Sequence, residues 1–177
     1  MVKNWPNVCV MNNINKRYPF TAPKGISGER FLLPILQRHY DVVSDYTDDF
    51  AMQCRGVDFG IKKTNWSRER LLDVKNNLWI GDINDNTTWT IVIELSKSTY
   101  DGSRVGWFHT SQADRIYHVN TYHKLYVYYD LNEMRRWVTR ELIKGNVLDF
   151  KRLPNGSELL TISIVNCPVI IQNEYLS

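Results

Sequence analysis

The run TTWTIVIELSKST (residues 87–99) alternates Trp89, Ile91, Ile93 and Leu95 with Thr90, Val92, Glu94 and Ser96. Its β-branched and aromatic residues make it the most strand-like stretch of the chain. Glu94 is the anomaly. A carboxylate behind three apolar residues is costly to desolvate unless a cation or metal ion meets it, or unless the strand has reached solvent at that point. A second acid, Asp58, sits in RGVDFGIKK (residues 55–63). There Val57, Phe59 and Ile61 share one strand face, and Asp58, Gly60 and Lys62 share the other. Asp is disfavoured within strands, so both a turn role and a functional role are open for Asp58.

Upstream, residues 1–27 have no sustained period and read as an irregular arm ending in the turn-prone TAPKGISG. Ser27 can cap a helix over GERFLLPILQRHY, with Phe31, Leu32, Ile35 and Leu36 on one face and Glu29 in the first turn, where the helix dipole favours an anion. Pro34 predicts a kink, or a regular helix that begins at Pro34 itself. YDVVSDY (residues 40–46) predicts a short strand. The segment 64–86, between the Asp58 and Glu94 strands, is long for a hairpin connection and needs structure of its own, either a solvated helix or an extended hairpin. It mixes the cations Arg68, Arg70 and Lys75 with the rings of Trp66 and Trp79, a combination that also suits nucleic-acid strands.

Downstream, TYDGSRVGWFH reads as a Gly-rich loop that presents Trp107 and Phe108. TSQADRIYHVN reads as a helix, because Ser111 and Asp114 have capping spacing and Ala113, Ile116 and Tyr117 can share a face. KLYVYY (residues 124–129) is a strand. Asp130 and Glu133 repeat the capping pattern before a helix that Gly145 ends, and Asn155-Gly156 is a turn dipeptide ahead of one or two short strands.

The chain has 177 residues, 43% hydrophobic, which suits one domain with a sizeable core. A net charge of +3, from 22 basic and 19 acidic residues, permits nucleic-acid binding without requiring it. Cys9, Cys54 and Cys167 show neither a disulfide framework nor zinc-ligand spacing, and no membrane span or signal peptide is visible, so a soluble, cytoplasmic protein is expected. No Gly-rich phosphate loop or nucleophile elbow is present, which argues against nucleotide-triphosphate use.

The order of helix, strand, Asp58 strand, Glu94 strand, helix, strand resembles the PD-(D/E)xK nuclease superfamily, in its Holliday-junction resolvase-like and phage or mobile-element branch. The resemblance covers about residues 28–129, through SGERFLLPIL, GVDFGIKK, IVIELSKST, GWFHTSQADRIYHV and KLYVYY. It implies a single α/β domain, residues 1–177, with a mixed central sheet. The αβββαβ restriction-endonuclease-like core is followed by a C-terminal helix and short strands over residues 130–177.

It further implies an endonuclease that hydrolyses DNA with Mg²⁺, for which Mn²⁺ can substitute. Asp58 and Glu94 would hold the metal, and Glu29 would add a second ion or a water contact. Lys62, Lys63, Arg68, Arg70, Trp107 and Gln112 would meet DNA, and a second copy of the chain is the other implied partner. The pattern expects a lysine two residues after Glu94, where this chain has Ser96. Lys97 comes one position late and reaches the face of Glu94 only through a β-bulge at Leu95 or Ser96. Lys62 stands four residues from Asp58, about 13 Å at strand rise. If neither lysine serves, the reading becomes a DNA- or protein-binding module on the same fold, and an unrelated α+β interaction protein is the third class.

Overall fold

The structure, a computed structural model, describes residues 22–99, 102–146 and 148–172. It is a mixed α/β unit of two sheets and four helices. In chain order these are α1 (Ala22–His39), β1 (Val42–Asp45), α2 (Phe50–Cys54), β2 (Phe59–Lys62), β3 (Arg70–Lys75), β4 (Leu78–Trp79), β5 (Thr90–Thr99), β6 (Gly102–Val105) and α3 (Trp107–Thr110). There follow β7 (Arg115–Asn120), β8 (Leu125–Asp130), α4 (Leu131–Ile143), β9 (Asp149–Arg152), β10 (Glu158–Ser163) and β11 (Ile171–Gln172).

The first sheet has the order β1-β2-β3-β7-β8-β11, with β3 and β7 parallel and the other pairs antiparallel. The second has the order β4-β5-β10-β9, with β6 also paired to β5. Side-chain alternation divides the apolar residues of the first sheet between two cores. On one face Phe59, Ile61, Leu72, Val74, Tyr117 and Val119 pack against Leu32, Ile35 and Leu36 of α1. On the other, Ile116, Val127 and Tyr129 meet Ile91, Ile93, Leu160 and Ile162 of the second sheet and Met134, Trp137 and Val138 of α4. No helix among the described residues is long and apolar enough to cross a membrane.

Several expectations are corrected. Residues 22–27 belong to α1, so Ser27 is not its cap and Glu29 is not in its first turn; residues 1–21 of the expected arm lie outside the described residues. Pro34 lies within α1 on its exposed side, where the Arg30 carbonyl that loses its donor can turn to water. The expected helix after Ser111 is instead β7, a strand buried on both faces between β3 and β8. Burial on both sides removes the strict alternation that marks a half-exposed strand. The expected loop before Trp107 contains β6, which pairs with β5, although residues 100–101 of that stretch lie outside the described residues.

A further correction moves the site. Asp58 and Glu94 do not lie on neighbouring strands of one sheet. The strand beside β2 is β3, from within the segment 64–86, and Glu94 belongs to β5 in the second sheet. Cys54 is disulfide-bonded, which the cysteine spacing does not anticipate, whereas Cys167 is free and buried.

At α4 and at the turn before β10 sequence and structure agree. The Asp130 side chain caps α4 by accepting from the backbone N–H groups of Asn132 and Glu133, Gly145 ends it at φ 74°, and Gly156 takes φ 86° in the turn before β10.

Candidate active site

The antiparallel register of β2 and β3 pairs Phe59 with Leu72, so Asp58, one residue before β2, falls opposite Asp73. Both side chains point away from α1, since their neighbours Phe59, Leu72 and Val74 fill the α1 core. Lys75, two residues after Asp73, shares that face. The sequence LLDVK (residues 71–75) therefore puts an acid and a lysine two apart on the strand next to Asp58.

Asp58 is 6% exposed and Asp73 1%. Asp58 Oδ2 accepts the Val74 backbone N–H at 2.7 Å and Oδ1 accepts Gln53 Nε2, from α2, at 2.9 Å. The Asp73 Oδ1 atom accepts Lys75 Nζ at 2.6 Å, while its Oδ2 is buried with no hydrogen-bond partner. An unpaired carboxylate oxygen is costly to bury. Burial, opposed by the Lys75 ammonium and reinforced by the Asp58 charge, pushes the Asp73 carboxyl up to about 7. Burial works against the Lys75 cation too, but the charges of Asp73, Asp58 and Glu94 outweigh it and hold the Lys75 pKa above its ordinary value. Lys75 Nζ also lies over the Trp107 ring, 5.3 Å from its centroid.

A polar row supports this cluster. His118, paired with Lys75 across β3 and β7, is fully buried. Its Nε2 meets the Tyr129 hydroxyl at 2.9 Å and its Nδ1 meets Asn77 Oδ1, while Asn77 Nδ2 donates to the Val92 carbonyl at 2.8 Å. Because the Asn77 amide is fixed by Val92, its Oδ1 faces His118, so Nδ1 carries the imidazole proton and Nε2 accepts from Tyr129. Burial, and then the Lys75 charge, pushes His118 down to about 3, which keeps it neutral.

The residues expected from sequence are distributed as follows. Asp58 is in the cluster and Trp107 covers it. Glu29 belongs to α1, whose neighbouring Gly28 packs on Val119, Asn76 and Val74, on the face of the first sheet opposite to that of Asp73 and Lys75. Glu94 acts on Lys75 as a charge from the second sheet.

A β-bulge is present where Lys97 requires one. Leu159 pairs with Glu94 and Glu158 with Ser96, leaving Leu95 as the extra residue, and this returns Lys97 to the face of Glu94. Lys97 is exposed and stands opposite Arg104 of β6. Lys62, Lys63, Arg68 and Arg70 gather at the far end of the first sheet, since Arg70 and Lys75 stand about 17 Å apart at strand rise. There Arg68 forms a two-pronged ion pair with Asp114 at 2.6 and 2.8 Å, Arg70 lies over Trp66, and Lys63 lies over Tyr40. Gln112 accepts from Arg55.

The residues missed from sequence are Asp73, Lys75, Gln53, Asn77, His118 and Tyr129. The D-x-K spacing at residues 73–75 was the available signal; the others are brought in by folding alone. Compared with known protein families, curated proteins and solved structures, the chain finds no match.

The buried acid gives a pH prediction. The Asp73 pKa is about 7 in the folded chain against 3.8 as a reference, so the folded state holds the extra proton between those values and stability is lost as pH rises across that window. His118, lowered from 6.5 to about 3, acts in the opposite sense. The test is therefore a difference. From pH 4 to 7, Asp73→Asn should gain stability relative to wild type by up to about 1.4 kcal/mol per pH unit in urea melts without metal. A constant difference would contradict the buried, protonated Asp73.

Proposed function

We propose that the chain is a metal-dependent endonuclease acting on DNA, with Asp58, Asp73 and Lys75 as its catalytic group on a restriction-endonuclease-like arrangement of α1, β1, β2, β3 and β7. The observation that carries this reading is the buried carboxylate pair on adjacent strands, with a lysine two residues beyond the second acid on the same face. A hard divalent cation fits the donors. Asp73 Oδ2 is an orphaned oxygen beside a second carboxylate, and Mg²⁺ is commonly held by one or two carboxylates, with water and phosphate oxygens completing its shell. Among the described residues no group of three or more His, Cys, Asp or Glu is placed to hold a metal.

When bound, the ion polarises the phosphate and acidifies a water. Asp58 and Asp73 would hold the ion, and the Val74 backbone N–H and Gln53 fix the orientation of Asp58. Lys75 keeps its proton and presents fixed positive charge to the phosphate oxygens as negative charge develops on them. Trp107 holds that ammonium in place and shields it from water on one side.

A second reading, a DNA-binding module without catalysis, is favoured by one observation: both Asp58 oxygens already accept hydrogen bonds. Metal binding separates the two readings. Millimolar Mg²⁺ should raise the melting temperature of the wild-type chain more at pH 8 than at pH 6, because Asp73 must lose its proton, and should not raise that of Asp73→Asn. A wild-type chain that ignores Mg²⁺ and Mn²⁺ at both pH values would support the binding module.

A further inference from the structure

A groove of about 550 Å³ runs along the outer face of the second sheet. Trp79 forms one wall, Val92, Leu159 and Thr161 form the floor, and Lys151 stands at the far side. The register explains why these residues meet. Leu78 and Trp79 pair with Ile91 and Thr90, and Leu78 and Ile91 point into the core, so Trp79 points outward and is 66% exposed. The same alternation puts Val92, Leu159 and Thr161 outward while Ile93, Leu160 and Ile162 point in.

Two residues link the groove to the acidic cluster. Leu159 lies directly between Glu94 and Lys151 in a cross-strand row, and Glu94 is the residue of this sheet whose charge acts on Lys75. Asn77, on the groove rim, bridges the Val92 carbonyl and His118.

We propose that this groove holds an unstacked nucleobase of the DNA strand whose phosphate lies at Asp58, Asp73 and Lys75, so that the favoured substrate has single-stranded or branched structure beside the cut. The proposal rests on the nuclease reading and deepens it. An exposed indole face is a stacking platform for any base, the apolar floor takes the base edge, and Lys151, which pairs with Asp149 at 3.2 Å, is the cation on the groove lining that a phosphate would have to draw away from that carboxylate. The volume leaves room for a base with its sugar. A continuous duplex keeps its bases stacked and cannot fill the groove.

The test compares the full chain with Trp79→Ala and Trp79→Phe. It uses fluorescence anisotropy in EDTA with a labelled blunt duplex, the same duplex carrying a single-stranded flap, and a single strand. Trp79 is exposed, so both variants should keep the fold, which thermal melts check. Trp79→Ala should bind the flap and the single strand roughly 5- to 150-fold more weakly, the factor that corresponds to removing one base stack. It should bind the blunt duplex as wild type does, and Trp79→Phe should recover most of the loss.

Equal affinities for all three DNAs, or an equal loss on all three, would overturn the groove assignment. So would a dimer in sedimentation that Trp79→Ala dissolves without changing DNA binding. Parallel cleavage assays with Mg²⁺ separate this proposal from the nuclease reading. Cleavage by wild type with no Trp79 effect removes the groove alone. Selective loss of flap binding in a chain that never cleaves removes the nuclease and keeps the groove. No binding of any DNA removes both.

Discussion

Lys75→Ala should lower the rate of DNA cleavage by about 10²- to 10³-fold, with little change in substrate affinity, while Lys97→Ala leaves the rate close to wild type. The magnitude is that of removing one preorganised charge from a site where negative charge develops. The loss should fall on kcat, because the charge is needed most in the transition state. The contrast between the two lysines follows from the sheets to which they belong. Lys75 is 2.6 Å from Asp73 and lies on the strand paired with β2, whereas Lys97 is exposed on β5 opposite another cation, Arg104. Single-turnover rates with saturating enzyme give the comparison directly. Equal rates for Lys75→Ala and wild type would exclude Lys75 from the chemistry.

Gly106→Ala should be the most damaging single-methyl addition near the site, costing roughly 1–3 kcal/mol or more of stability, in the range of overpacked cores. Gly106 precedes α3, and a Cβ there would lie 2.2 Å from the Glu94 carbonyl oxygen and 2.6 Å from its carbon, both backbone atoms of β5. Neither strand nor helix can give way cheaply. The Gly106 N–H also donates to the Leu95 carbonyl at 2.8 Å, so the clash strains the contact that seats α3 on β5. Trp107 is the next residue, and its shift would uncover Lys75. Urea denaturation and the cleavage rate should therefore fall together. Gly102→Ala is the control for adding a methyl in the same hairpin, since a Cβ there meets nothing within 4 Å, although its φ of 121° adds local strain.

The parts of the fold that were legible in the sequence are those where local chemistry decides the outcome. β5 is marked by eight residues of alternation and α4 by the Asp130 cap and Gly145, and both form where expected. Even the bulge at Leu95, required on face-alternation grounds, is present. What local chemistry does not specify is which strands pair. Segment 64–86 carries enough polar and turn-forming residues to read as a connection, yet six of its residues, Arg70 to Lys75, become the strand beside β2. β7 reads as a helix because Ala113, Ile116 and Tyr117 fall at helical spacing at the entry to a strand that is buried on both faces. Once β3 is recognised, the acid that pairs with Asp58 becomes Asp73 and the lysine regains its two-residue spacing. Gln53, His118 and Tyr129 have no sequence signal of this kind, since three separate elements deliver them.

The most direct test of the account is cleavage of a DNA panel (supercoiled, blunt, flapped and single-stranded) with Mg²⁺ or EDTA, run side by side for wild type, Asp73→Asn and Glu94→Gln. Wild type should cut in a metal-dependent way, Asp73→Asn should not cut, and Glu94→Gln should still cut, because the proposed metal donors are Asp58 and Asp73, whereas Glu94 acts on Lys75 through its charge. Cutting by Asp73→Asn together with its loss in Glu94→Gln would contradict that assignment and return the site to the second sheet.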